Sequence, residues 1–296
     1  PAVSARLNRS LHMPELPEVE VLARHLRPLI QGKTIREVNV RRAKSLRGTT
    51  EKAFMQALVG ARFSGLTRRG KYLLFELRPK GARDAFQMLG HLGMTGRMYL
   101  QPKGVELAKH AAVVLALGKH EFVFEDTRCF GRLTLDLSSL NGLGPEPWSE
   151  EFTVDYFHGQ LKRSAQPIKV KLLDQALVAG VGNIYAGEAL FHAGLSPRRQ
   201  SRRLTRAQAS RLRGNIQRIL SDAIALGSSI KLDFEGSGKK DGLFYYGGSD
   251  VATDPPAERF AVYGREAQPC PACATPIKRI VQSARSAFFC PRCQRG

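Results

Sequence analysis

The sequence predicts an α+β protein: an N-terminal β-sandwich with flanking helices, then a helical domain that ends in a small metal-stapled tail. Three observations carry that reading. The chain has 296 residues, 43% of them hydrophobic, enough to bury two cores at roughly 100–200 residues per domain. Apolar residues alternate with period 2 between residues 34 and 137 and take helical spacing after about residue 149. Four of the five cysteines stand as Cys270-x2-Cys273 and Cys290-x2-Cys293, the spacing of a four-thiolate zinc site.

Each element follows in order. Residues 1–13 hold two arginines and no apolar leader, and read as a non-native or unprocessed extension, with translation starting at Met13. Val19, Leu22, Leu26 and Leu29 then predict a helix over 18–29, with Pro17 at a first-turn position and Glu18 and Glu20 near its positive end. Runs such as 71–77, 111–117 and 121–125, punctuated by glycines, predict the short strands of a domain over 14–140. Asn141-Gly-Leu-Gly-Pro-Glu-Pro-Trp148 is a hinge. Helices are predicted near 154–162, 170–178, 183–192 and 205–226, the last opened by a Thr205/Gln208 capping box, in a domain over 149–263. Residues 227–263 look like mobile loop, and 264–296 like a zinc finger.

Charge narrows the partner. There are 46 Lys plus Arg against 26 Asp plus Glu, a net charge of +20, which points to a polyanion. Arg198 through Arg218 contains eight arginines and no acid, and reads as a phosphate-contacting surface. No apolar run approaches the roughly 20 residues that cross a bilayer, so a cytoplasmic, nucleoid-associated protein is expected. The odd cysteine total favours one structural zinc over two disulfides. Gly32-Lys33-Thr34 lacks the glycine five residues upstream that a nucleotide loop needs, because Arg27 stands there. Gly180-Val-Gly182-Asn183 reads as a tight turn that offers a helix N-terminus to an anion.

Met13-Pro14-Glu15-Leu16-Pro17-Glu18 carries the most specific chemistry. With Met13 removed, Pro14 is a secondary amine; α-amino groups have a pKa of about 8, so part is unprotonated at neutral pH. Its attack on a sugar C1′ gives an iminium, an electron sink for elimination, and Glu15 stands ready to move protons. This start resembles the formamidopyrimidine-DNA glycosylases, and the resemblance runs from Pro14 to Arg295. It extends through Arg68-Arg-Gly-Lys71, His91-Leu-Gly-Met94-Thr-Gly, Asp126-Thr-Arg128-Cys129-Phe130-Gly, Val181-Gly-Asn183-Ile-Tyr and the four cysteines.

The resemblance implies a helix-two-turn-helix domain before the zinc finger and, within 227–263, a base-capping loop. It implies duplex DNA carrying oxidised bases or abasic sites as partner, and a monomer that removes oxidised purines and nicks the strand by β,δ-elimination. It assigns catalysis to Pro14, Glu15, Lys71 and Arg285. DNA contacts fall to His91, Met94, His110, Arg128, Phe130, Lys169 and Asn183, and zinc ligation to Cys270, Cys273, Cys290 and Cys293. Met94, Arg128 and Phe130 would fill the hole that a flipped base leaves. Four departures stand out: the extension over 1–13, the largest; a segment over 227–263 longer than the family's base-capping loop and dissimilar to it; Cys129 where the family pattern has a second Arg; and Ala112 where it has a second His. The rival readings are the sister enzyme for oxidised pyrimidines and, if Pro14 is blocked, a lesion-binding protein that does not cut.

Overall fold

The computed structural model describes residues 13–228 and 260–295; all but Met13 of the expected extension over 1–13 and most of the expected base-capping loop lie outside them. Helix α1 (Leu16–Ile30) starts two residues before the predicted one. Its Val19, Leu22 and Leu26 enter the β-domain core, while Leu16 enters the core of the helical domain, so one helix serves both.

The β-domain is two four-stranded antiparallel sheets. One runs β1 (Glu37–Val40), β6 (Ala111–Ala116), β7 (His120–Asp126), β5 (Gly96–Pro102). The other runs β2 (Arg62–Arg69), β3 (Tyr72–Arg78), β4 (Phe86–His91), β8 (Arg132–Thr134), and α2 (Glu51–Leu58) lies between β1 and β2 in the chain. Alternation along β3 buries Leu73, Phe75 and Leu77. Phe75 packs edge to face against Phe63 at 6.1 Å and Phe122 at 5.6 Å, joining the two sheets.

In the helical domain α3 (Val154–Lys162), α4 (Ile168–Leu172), α5 (Asn183–His192) and α6 (Arg206–Ser228) enclose the second core. The predicted helix over 170–178 is corrected: α4 ends at Leu172, and turns fill the way to α5. Side chains that bond the local backbone win over the apolar spacing there. Asp174 accepts from the Ala176 N–H at 3.0 Å, and Gln175 accepts from Gly180 N–H while donating to the Leu173 and Val181 carbonyls.

The arginine-rich approach to α6 is also more structural than its composition suggests. Arg211 donates to the Ala193 carbonyl, Arg213 to that of Phe152, Arg206 pairs with Asp155 and Arg218 with Asp222. The tail forms the hairpin β9 (Lys278–Gln282) and β10 (Arg285–Phe289) over a small core of Phe191, Val262, Cys270, Ile277 and Cys290. Residues 141–148 are fastened to the β-domain: Glu146 accepts from Arg68, Arg69 and the Gly70 N–H, and Arg69 donates to the Gly144 carbonyl.

Candidate active site and nucleic-acid interface

Half-buried Pro14 is joined to a carboxylate with a fixed seat. Glu15, 3% exposed, accepts from the backbone N–H of Ile184 at 2.9 Å and of Tyr185 at 3.4 Å. The acceptor at the α5 N-terminus, where an anion is expected, is therefore the chain's own Glu15 carboxyl group. Gly182 makes the approach possible, since a Cβ there would lie 2.2 Å from the Glu15 carboxyl carbon. Glu18 closes the arrangement by accepting from the Glu15 N–H at 2.8 Å and the Tyr185 hydroxyl at 2.6 Å. Burial pushes the Glu15 carboxyl up against the opposing charge of Lys71; burial and the neighbouring Glu15 push Glu18 up to about 7.

Lys71 lies in the β2–β3 turn rather than in the predicted strand. Burial lowers its pKa, the Glu15 carboxylate opposes that, and the Arg285 guanidinium adds to it. Next to it, strand register aligns Tyr72, His91 and Arg132 across β3, β4 and β8. His91 Nδ1 accepts from the Gly93 N–H at 3.1 Å, which leaves its proton on Nε2. Burial and the nearby cations, Arg132 first, pull its pKa down to about 4, so it is neutral at pH 7 and donates from Nε2 as a neutral group.

The residues expected to enter DNA stand together. Arg128 lies over the Phe130 ring at 4.6 Å and its Nη1 is 3.5 Å from the Met94 sulfur; Arg128 and Phe130 are exposed, and Phe130 keeps 45% of its surface in solvent. Asp126, which the motif reading left without a role, ties the two turns. Its carboxylate accepts from the Thr95 hydroxyl at 2.5 Å, the Arg128 N–H at 3.1 Å and the Gly131 N–H at 2.7 Å. An acidic residue opening a turn is the signal that marks it in the sequence. His110 sits behind this turn, its Nδ1 2.7 Å from Arg42.

Lys169 and Asn183 form a bridge to the zinc module. Lys169 Nζ donates to Asn183 Oδ1 at 2.5 Å and to the Ser286 carbonyl at 2.9 Å, and Asn183 Nδ2 donates to the same carbonyl at 3.1 Å. Burial lowers the Lys169 pKa to about 8. Ser286 follows Arg285, so this bridge holds the exposed Arg285 within electrostatic reach of Lys71.

The four tail thiols are unbridged, and their Sγ atoms all lie within 4.8 Å of one another, with Cys270–Cys293 at 3.9 Å and Cys273–Cys290 at 3.5 Å. Four sulfurs about 2.3 Å from one tetrahedral zinc stand about 3.8 Å apart, so the set fits that ion and leaves no position for a substrate.

Comparison with known proteins follows the same outline. Residues 13–133 match the formamidopyrimidine-DNA glycosylase N-terminal domain, 143–234 the H2TH domain of the same proteins, and 267–296 a zinc finger found in FPG and IleRS. The chain is 43% identical over 289 residues to a formamidopyrimidine-DNA glycosylase of Thermus thermophilus, covering 95% of this chain and 98% of that one. It is 39% identical to that of Desulfitobacterium hafniense, covering 95% and 100%. Among solved structures it resembles MutM in complex with carbocyclic 8-oxo-G containing DNA, and Lactococcus lactis Fpg with N7-benzyl-Fapy-dG containing DNA. Each has a TM-score of 0.82 and 31% identity, over 96% of this chain and all of the other.

Proposed function

The chain belongs to the formamidopyrimidine-DNA glycosylase family, and from that premise we propose how its residues divide the work. It is a DNA glycosylase and abasic-site lyase for oxidised purines in duplex DNA. The Pro14 nitrogen attacks C1′ of the flipped nucleotide, the C1′–N bond breaks and the base leaves with a proton. The C1′–O4′ bond then breaks as O4′ takes up a proton, which opens the ring and gives an iminium. This drains electrons from the sugar, so loss of a C2′ proton expels the 3′ phosphate, and a second elimination expels the 5′ phosphate. Glu15, whose burial favours the protonated form, holds and returns a proton beside Pro14. Lys71 and Arg285 meet the phosphate charge, as do His91, His110, Lys169 and Asn183, while Met94, Arg128 and Phe130 fill the vacated stack. Cys270, Cys273, Cys290 and Cys293 hold a structural zinc that organises Arg285 without entering the reaction.

The observation that carries this reading is the seat of Glu15, which fixes Pro14 where the β2–β3 turn, α5 and the zinc hairpin meet. The enzyme works as a monomer in the bacterial cytoplasm on nucleoid DNA, in keeping with a charge of +20 and the absence, among the described residues, of any helix long and apolar enough to cross a membrane.

The test is borohydride trapping on lesion-bearing duplex, with N-terminal sequencing to show which residue is exposed. A chain beginning at Pro14 forms a covalent adduct, and Pro14→Gly weakens it. An adduct through an internal lysine, with Pro14 blocked, overturns the assignment.

A further inference from the structure

Arg42 belongs to none of the motifs, yet it meets two of the places where the chain departs from the family pattern, Ala112 and Cys129. Its backbone lies between β1 and the short 3-10 turn at Ala43–Leu46, where the N–H groups of Arg41 and Arg42 donate to the Ala112 carbonyl at 2.9 and 3.1 Å. Its guanidinium reaches under the 126–131 turn, Nη1 donating to the Asp126 carbonyl at 3.0 Å and approaching the Cys129 sulfur at 3.4 Å. Nη2 lies 2.7 Å from His110 Nδ1. A guanidinium only donates, so His110 Nδ1 accepts and the ring proton is on Nε2.

The turn has reason to need this support. Cys129 holds φ 54, in the left-handed region that side chains with a Cβ rarely adopt. The Asp126 carboxylate braces the Thr95 side of the turn and Arg42 braces the other. A planar fork suits three acceptors in different directions, which a lysine ammonium on a flexible stem does not hold in one geometry.

We propose that Arg42 is a positioning residue for lesion recognition. It fixes the turn that presents Arg128 and Phe130, sets His110 as an Nε2–H donor, and supplies from the β1 side the guanidinium that the family pattern carries at position 129. The proposal rests on the 126–131 turn being the inserted wedge.

The experiment uses the full chain with Arg42→Ala, Arg42→Lys, Cys129→Arg and the double variant Arg42→Ala/Cys129→Arg. Single-turnover excision from duplex is compared with cutting at an abasic site, and the His110 ring nitrogens are read by nitrogen-15 NMR. Arg42→Ala and Arg42→Lys lose duplex excision by about tenfold to a hundredfold, the cost of a misplaced group, while abasic cutting stays within about threefold. The single Nε2–H form of His110 is lost in Arg42→Ala. The double variant regains most of the excision, because the alanine leaves room and removes the like charge, whereas Cys129→Arg alone places two guanidiniums together and impairs excision. Wild-type excision in Arg42→Ala, equal loss on both substrates, or a double variant no better than Arg42→Ala overturns the proposal. Failure of the wild-type chain to excise at all counts against the functional reading instead, and the NMR readout still tests Arg42 by itself.

Discussion

Phe130 separates a wedge from a core residue. At 45% exposure it stabilises the free protein little, whereas truncating a buried phenylalanine costs about 3–5 kcal/mol. Phe130→Ala is therefore expected to melt within a degree or two of wild type by calorimetry, to excise a duplex lesion at least tenfold more slowly, and to cut an abasic site nearly normally. A drop of many degrees with equal loss on both substrates would place the ring in the core. Glu18 gives a second expectation at this scale. Its pKa is raised to about 7 from 4.5, so the folded state binds more protons than the unfolded one between those values, and this contribution to stability falls as pH rises from about 4.5 to 7. Urea denaturation midpoints of wild type should decline over that window more steeply than those of Glu18→Gln; parallel curves would remove Glu18 as the cause.

At the scale of elements, the legible parts are those whose information is local. Val19, Leu22 and Leu26 announced α1, and the alternation of Leu73, Phe75 and Leu77 announced β3. The stretch after Leu172 was not legible, because Val170, Leu173 and Val178 keep helical spacing while Asp174 and Gln175 take the backbone bonds that a helix would use. The site was legible as motifs and not as geometry. Asn183 was readable as the first residue of α5, but the carboxyl group on that helix comes from Glu15, 169 positions before its partner Ile184, and no window of sequence contains both. Arg42 was illegible for the same reason: Cys129 stands 87 positions on. The hairpin that holds Arg285 has so small a core, Phe191, Val262 and Ile277 around two cysteines, that metal must supply much of its order. Chelation or Cys290→Ser should abolish duplex binding in a gel-shift assay while circular dichroism still shows the rest folded; normal binding without zinc would refute the link.

For the whole molecule, the charge of +20 becomes a measurable salt dependence. Each phosphate neutralised contributes about −0.9 to the slope of log K against log salt on duplex DNA. Arg285→Ala should lower that slope by about one unit in a fluorescence titration and weaken damaged and undamaged duplex alike, and an unchanged slope would take Arg285 off the backbone. The two cores and the zinc module share their reactive point through few contacts: Leu16 in the helical core, Glu15 on α5 and the Ser286 carbonyl on Lys169. That arrangement also sets a clock on biosynthesis. Glu15 is made 169 residues before its partner Ile184, roughly 10–30 s at 5–20 residues per second. On the proposed mechanism, Pro14 is thus made long before the Ile184 and Tyr185 N–H groups that seat its neighbour Glu15.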